Sequence, residues 1–285
     1  MIEYNKYQLN NMANKKDSLG DRMKNNYENR AKTYLVRRMP VIIRLDGKAF
    51  HTFTRGFEKP FDDIMMQSMQ ETTLKLCQDI QGCVFGYTQS DEITLVLVDY
   101  NGIDTDAWFD YSTQKMCSVA ASMCTLYFNK FFTENAKAKI DRFKFELDCV
   151  TDREDEFGVY RDNLKHYIKT YEKAIAKGAM FDARVFNIPV EEVTNCILWR
   201  QQDATRNSIS SLAQSKFSHK ELQGKNSSQM QDMLMDKWGL NWNNLSIPEK
   251  RGTAIIKKDG EWVIDYGMPI LKGEDREYVE KLIKF

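Results

Sequence analysis

Apolar residues in this chain fall into short unbroken or alternating runs, separated by longer segments in which they recur at the helical period. Val41-Ile42-Ile43-Arg44-Leu45-Asp46 reads as a strand, closed by the turn Asp46-Gly47-Lys48. Residues 83–88 and 92–98 read as two strands joined tightly through Gln89-Ser90-Asp91, and Phe181–Ile188 as a further strand. A late hairpin is predicted over 253–266, turning at Asp259-Gly260. Between them a polar helix is predicted from Ser18 to Leu35, with Ser18 or Asp17 as its cap. The next runs from Asp62 to about Ile80, with Pro60 suited to its first turn and a stripe of Ile64, Met65, Met69, Thr72, Leu76 and Ile80. A third starts at Asp104 or Thr105 and reaches Phe132, its small residues Ser118, Ala121 and Ser122 allowing close packing on a sheet. Helices from Glu191 to about Leu212, near 228–238 and at the C-terminus complete the set.

The order β-α-β-β-α-β describes a split-βαβ, ferredoxin-like antiparallel sheet with helices on one face, an α+β fold of the kind found in polymerase palm domains. Residues 1–16 read as a loosely held lead-in and 17–214 as the palm-like catalytic domain. Within it, charged and Tyr-rich 141–180 is a candidate insertion, and 215–285 is a C-terminal elaboration.

Composition narrows the class. The chain has 285 residues, 42% of them hydrophobic, with Lys+Arg and Asp+Glu both 41. No overall basic field exists, so a nucleic-acid partner must bind a local patch. Six cysteines (Cys77, Cys83, Cys117, Cys124, Cys149, Cys196) show no C-x-x-C spacing, and with three histidines a zinc site is not expected. They read as buried reduced thiols. The amino terminus lacks the apolar core of a signal peptide, and no run approaches membrane-spanning length. A soluble cytoplasmic protein with no membrane partner is expected.

Asp46 and Asp91 carry the candidate chemistry. A carboxylate beside an apolar core is expensive unless a cation or hydrogen bonds compensate it. Singly, each is accounted for as a turn former. Together on adjacent strands, with the carbonyl of Gly47, they read as a site for one or two divalent cations held against a triphosphate. Gly47 lets the chain turn sharply, so amides of residues 48–51 could face phosphates. Lys48, His51, Lys59 and Lys115 are candidate phosphate partners. Strand alternation points Glu92 away from Asp91. His51, near Phe50 and Phe53, reads equally as a structural histidine, and Ser90 equally as a turn cap. In Trp199-Arg200-Gln201-Gln202-Asp203 and Arg206-Asn207-Ser208, two arginines share a helix face suited to phosphate or RNA-end contacts. The plain alternative is a solvated face with Trp199 packed inward. Lys216-Phe217-Ser218-His219-Lys220 is a weaker nucleic-acid signal.

At these same residues the chain resembles the tRNA-histidine guanylyltransferase superfamily, over roughly 18–260. Arg44-Leu45-Asp46-Gly47-Lys48-Ala49-Phe50-His51 with Lys59-Pro60 resembles its first metal and triphosphate motif. Gly86-Tyr87-Thr88-Gln89-Ser90-Asp91-Glu92 resembles its second, and Trp199-Arg200-Gln201-Gln202-Asp203 its third. The resemblance implies a palm-like fold, two magnesium ions on Asp46, Gly47 and Asp91, and ATP and GTP or other nucleoside triphosphates as substrates. Lys59 and Ser90 match positions that activate an RNA 5′ end with ATP, and His51 and Lys115 match positions near the nucleotide phosphates. Arg200, Arg206, Asn207, Lys216, His219 and Lys220 are the implied RNA contacts, tRNA the implied partner, and a tetramer the implied assembly. Members devoted to histidine tRNA carry His-Ile-Asn-Asn where this chain has Arg206-Asn207-Ser208-Ile209. That departure is similar to the guanylyltransferase-like branch of bacteria, archaea and phages, which rebuilds shortened tRNA 5′ ends on the opposite strand as template. Addition of G at position −1 is the first alternative; a non-catalytic RNA-binding protein or a palm-fold nucleotide cyclase are remote ones.

Overall fold

The computed structural model describes residues 18–150 and 158–284; the lead-in expected over 1–16 and the cap expected at Asp17 lie outside them. Among the described residues, strands β1 (Val41–Gly47), β2 (Cys83–Gln89), β3 (Glu92–Leu97), β4 (Phe181–Asn187), β5 (Thr253–Lys258) and β6 (Glu261–Asp265) form a six-stranded sheet in the order β4-β1-β3-β2-β5-β6. All its pairings are antiparallel. The first four strands have the ferredoxin-like order expected of the palm. The hairpin from the C-terminal elaboration extends that sheet beyond β2, with Asp259 and Gly260 both at positive φ in its turn.

Period-two alternation assigns each strand residue to a face. Val41, Ile43 and Leu45 of β1, with Ile93, Leu95 and Leu97 of β3, face α3 (Asp63–Asp79), α4 (Thr113–Val150) and α5 (Gly158–Lys177). Ile42, Phe85, Tyr87 and Val96 face the other way, onto Val193, Cys196 and Ile197 of α6 (Val190–Gln214) and onto Met268, Leu271, Val279 and Ile283. The expected single helical layer therefore holds for α3 and α4, while α6 and the C-terminal segment cover the reverse face. Asp62 caps α3 by accepting from the Met65 amide at 2.9 Å. Pro60 sits in the preceding loop rather than in the first turn.

Helix α4 differs most from expectation. Residues 104–112 are not α-helical: Trp108 and Tyr111 are buried there while Phe109, Asp110 and Tyr111 take positive φ. The buried stripe then runs every fourth residue through Met116, Ala120, Cys124, Phe128, Phe132, Ala136 and Ile140. Ser118 and Ser122 face solvent, so they do not make the sheet contact expected of them. The segment 141–180 supplies the distal part of α4, then α5, which packs back on α4 through Leu164, Tyr171 and Ala174.

The first helix is also shorter than expected. Helix α1 (Ser18–Asn26) and a 3-10 turn (Glu28–Ala31) give way to extended chain, which bridges Tyr34 to Ser112. That path brings Arg37 and the Arg38 amide onto buried Asp99, at 2.7 and 2.9 Å. Among the cysteines, Cys77, Cys83, Cys124 and Cys196 are buried as expected, Cys117 is half-buried and Cys149 is exposed. No described helix is long and apolar enough to cross a membrane.

Candidate active site

Strand register puts three carboxyls side by side on the α6 face: Asp46 lies opposite Glu92 on β3 and opposite Asp182 on β4. Like charges directly across strands repel. The next inward row answers them with guanidiniums, Arg44 opposite Arg184. Arg184 stands 3.7 Å from Asp46 and 3.4 Å from Asp182, and Arg44 stands 3.2 Å from Glu92. Glu92 is further held by Arg200 and by the Gln89 amide. It is thus a tightly paired group on the same face as Asp46. Asp182 was not singled out from sequence, because only the β1–β4 register reveals it.

Asp46 and Asp91 are less fully compensated. Burial, then the neighbouring Glu92 and Asp182, push the Asp46 carboxyl above its usual range against the pull of Arg184 and Arg44. Burial likewise raises Asp91, with Asp46 and Glu92 adding to it and the Ser90 hydroxyl, 3.0 Å away, opposing it. Backbone contact joins their segments, the Gly47 amide donating to the Asp91 carbonyl at 3.1 Å.

The turn after β1 explains Gly47. A Cβ there would lie 2.2 Å from Cδ2 of Phe50. That ring cannot yield: it packs on Phe53, Phe128 and Phe181 at centroid distances of 5.1–5.6 Å. Phe50 therefore props the turn from below, and only its backbone reaches the site. Ala49 takes φ 53° ahead of the single-turn helix α2 (Phe50–Phe53). The amide of Lys48 is already bonded to the Met180 carbonyl at 2.8 Å, leaving those of Ala49, Phe50 and His51 without a partner among the described residues. His51 is exposed and makes no hydrogen bond among the described residues, so the reading of it as a structural histidine does not hold. Gly47→Ala is expected to cost about 1–3 kcal/mol, the usual range for overpacking. Urea unfolding checks the stability, and nucleotide titration should show a loss of affinity; wild-type behaviour in both would refute the propping role.

A cleft of about 290 Å³ collects Lys59 of the first motif, Ser90 of the second and Asn207 from the segment that follows the third, with Ser211, Pro248 and Glu249. Ser90, at φ 50°, forms the two-residue β2–β3 turn with Asp91 and is exposed. Lys59 and Asn207 are exposed as well.

Other expected contacts are not brought there. Arg200 is 4% exposed, locked between Glu92 and Asp203, whereas Trp199 is 47% exposed. Arg200 thus cannot reach RNA, and the arrangement of Trp199 inward and arginine outward is reversed. Two part-buried carboxylates claim this guanidinium. Arg206 is exposed and pairs with Asp203 at 2.8 Å. Lys115 lies away from the Gly47 end of β4: Phe181, which pairs with Gly47, donates its amide to Thr125 Oγ1 at 3.2 Å, and Lys115 is ten residues earlier on α4, about 15 Å along the helix at its usual rise. Its ammonium lies 5.9 Å from the Phe109 ring, and within one chain it does not join the other phosphate candidates. Lys216, His219 and Lys220 are exposed around α7 (His219–Leu222), while Phe217 between them is buried. Lys48 and Ala49 are exposed at the Gly47 turn.

Which acids fit a divalent cation follows from their partners. Among the described residues, Glu58, Asp62 and Asp63 present ligand atoms within 4.8 Å of one another. The Lys139 ammonium already occupies that group, and Asp62 accepts from the Tyr171 hydroxyl at 2.7 Å. A resident lysine leaves no demand for a metal there. Asp46 and Asp91 are part-buried and incompletely compensated, and their oxygens are hard donors of the kind magnesium takes.

An antiparallel palm-like sheet with carboxylates at its strand ends, beside a cleft lined by a lysine, a serine and an asparagine, is the framework of a nucleotidyltransferase. Residues 20–189 match the family model described as tRNAHis guanylyltransferase, and the chain belongs to that family. A bacterial tRNA(His) guanylyltransferase-like protein in complex with ATP is 40% identical, with a TM-score of 0.76 over 94% of this chain and 100% of that one. A bacterial protein of the same description in complex with GTP is 36% identical, with a TM-score of 0.70 over the same shares. A probable tRNA(His) guanylyltransferase of Dictyostelium discoideum is 25% identical over 79% of this chain and 77% of its own length.

Proposed function

We propose that the protein adds nucleotides in the 3′→5′ direction to the 5′ end of tRNA, copying the opposite strand to repair shortened ends. The observation that carries this reading is the cleft itself. Asn207, from the segment where members devoted to histidine tRNA carry a histidine motif, lines it together with Lys59 and Ser90. Its resemblance to the bacterial ATP and GTP complexes over nearly the whole chain supports the same branch.

In this scheme ATP first adenylates a 5′-monophosphate, an oxygen of the RNA phosphate displacing pyrophosphate from the ATP α-phosphorus. The 3′-hydroxyl of the incoming nucleotide then attacks the activated 5′ phosphorus and AMP leaves; a 5′-triphosphate end bypasses the first part. Asp46 and Asp91, with the Gly47 carbonyl, would hold two magnesium ions, whose chemistry is to ease hydroxyl deprotonation and stabilise charge on leaving groups. Lys59 and Ser90 orient the RNA 5′ phosphate in the cleft. The amides of Ala49, Phe50 and His51, unpaired among the described residues, with the His51 ring and the Lys48 ammonium, receive the triphosphate. A homotetramer is the assembly that accompanies this reading, and light scattering would measure it.

Substrate choice tests the proposal. Purified protein should extend 5′-truncated tRNAs with four nucleotides present more readily than complete histidine tRNA. Strong preference for the complete histidine tRNA would instead establish G−1 addition.

A further inference from the structure

A second depression, of about 350 Å³, lies on the other side of α6 from the cleft. Its walls come from Gln202, Thr205 and Arg206 of α6, from Arg251 at the end of α9 (Ile247–Arg251), and from Ile270 and Lys272. Gln201 builds it. Buried in α6, its amide nitrogen donates to the Pro269 carbonyl at 2.7 Å and its oxygen accepts from the Leu271 amide at 3.2 Å. Both ends of one amide staple segment 269–271 to the helix, so Lys272 stands beside Arg206.

Three cations and no carboxylate line this depression, in a chain whose charges balance overall. Lys272 is exposed and its ammonium has no partner among the described residues. Arg251 has a buried Nε without a hydrogen-bond acceptor. Arg206 spends one donor on Asp203 and has no other partner among the described residues, 56% of its side chain being exposed. Leaving a buried guanidinium donor unpaired is unfavourable unless an acceptor arrives from outside. Planar forks and an ammonium around one depression suit phosphate oxygens. Helix α9 separates it from the cleft: Pro248 and Glu249 line one side, Arg251 the other. A strand leaving the cleft past Asn207 would cross α6 onto it.

We propose that Arg206, Arg251 and Lys272 form a phosphate-binding groove that holds the phosphodiester backbone of the RNA whose 5′ end lies in the cleft. This rests on the tRNA-end reading above and adds the surface that positions the RNA body. Such contacts carry no sequence information; they set register and affinity.

Lys272→Gln and Arg251→Gln, alone and together, test it. Tests by fluorescence anisotropy with labelled tRNA would cover about 50–200 mM salt, the range over which phosphate contacts weaken steeply. Each lost cation should make the log–log salt slope shallower by about 0.7–0.9 and weaken low-salt binding several-fold. The KM for ATP should not change. Lys272 is exposed, so its variant should melt with the wild type and keeps the test clear even if Arg251→Gln folds poorly. An unchanged slope in both single variants, with wild-type binding intact, overturns the groove alone. A raised KM for ATP with tRNA affinity intact would assign the cations to a nucleotide's phosphates and overturn it too. Wild-type protein that binds no tRNA would remove both this inference and the functional reading.

Discussion

Asp91→Asn is expected to abolish nucleotide addition while making the metal-free protein harder to melt. Asp91 sits part-buried at the β2–β3 turn, raised by burial and by the nearby charges of Asp46 and Glu92. A carboxyl whose folded-state pKa is raised favours the fold only while protonated. That contribution is complete below the ordinary carboxylate range and is lost as pH rises through the raised value. At neutral pH, then, ionised Asp91 works against the apo fold. Asparagine removes the charge and still accepts from Ser90. In a domain this large each kcal/mol relieved should raise the melting temperature by about 2–4 °C. Magnesium should raise the melting temperature of the wild type and not of the variant. Losing groups that merely orient metal ligands costs about 10–100-fold, so loss of the carboxylate itself should cost more. Asp46 invites the same substitution with a smaller stability gain, since Arg184 already offsets part of its charge. Retained turnover in Asp91→Asn, or a lower apo melting temperature, would count against the assignment.

Arg200→Met should destabilise the protein by about 3 kcal/mol, the low end for breaking a buried ion pair. The guanidinium joins Glu92 at the start of β3 to Asp203 on α6 and lies 4.6 Å from the Trp199 ring. Without it, Glu92 keeps Arg44 and Gln89, which limits the cost, and Asp203 keeps Arg206. Arg206→Met breaks only an exposed pair and should change stability by about 0–1 kcal/mol while weakening RNA binding. Lysine at 200 should rescue only in part, because the single distal nitrogen Nη2 meets both carboxylates and a lysine ammonium sits one bond shorter on its side chain. Chemical denaturation and tRNA titration on both variants separate the roles. A stable Arg200→Met protein with weakened RNA binding would restore Arg200 as an RNA contact.

These two residues also show what the sequence could and could not reveal. The strands were legible because period-two alternation in β1 and β3 matches two buried faces, and α3 because Asp62 caps a clear stripe. Gly47 and the carboxylates at the turns stood out because charge and flexibility rarely sit beside such apolar runs. Arg200 was misread: hydropathy favours burying tryptophan over arginine, and nothing local shows that Glu92 arrives on the same side. Asp182 stayed invisible for a related reason, since only pairing with β1 makes it a neighbour of Asp46. Helix α4 started late because buried Trp108 and Tyr111 mimic its stripe while the backbone between them turns at positive φ.

Templated growth at the 5′ end is the central claim, and one reaction tests it directly. A 3′-labelled tRNA lacking its first nucleotide and bearing a 5′-monophosphate is incubated with the protein, magnesium, ATP and all four nucleotides. The strand should lengthen at its 5′ end by the nucleotide complementary to the unpaired opposite base, and changing that base should change the nucleotide added. Addition of G whatever the opposite base, growth at the 3′ end, or nucleotide consumption without extension would contradict it.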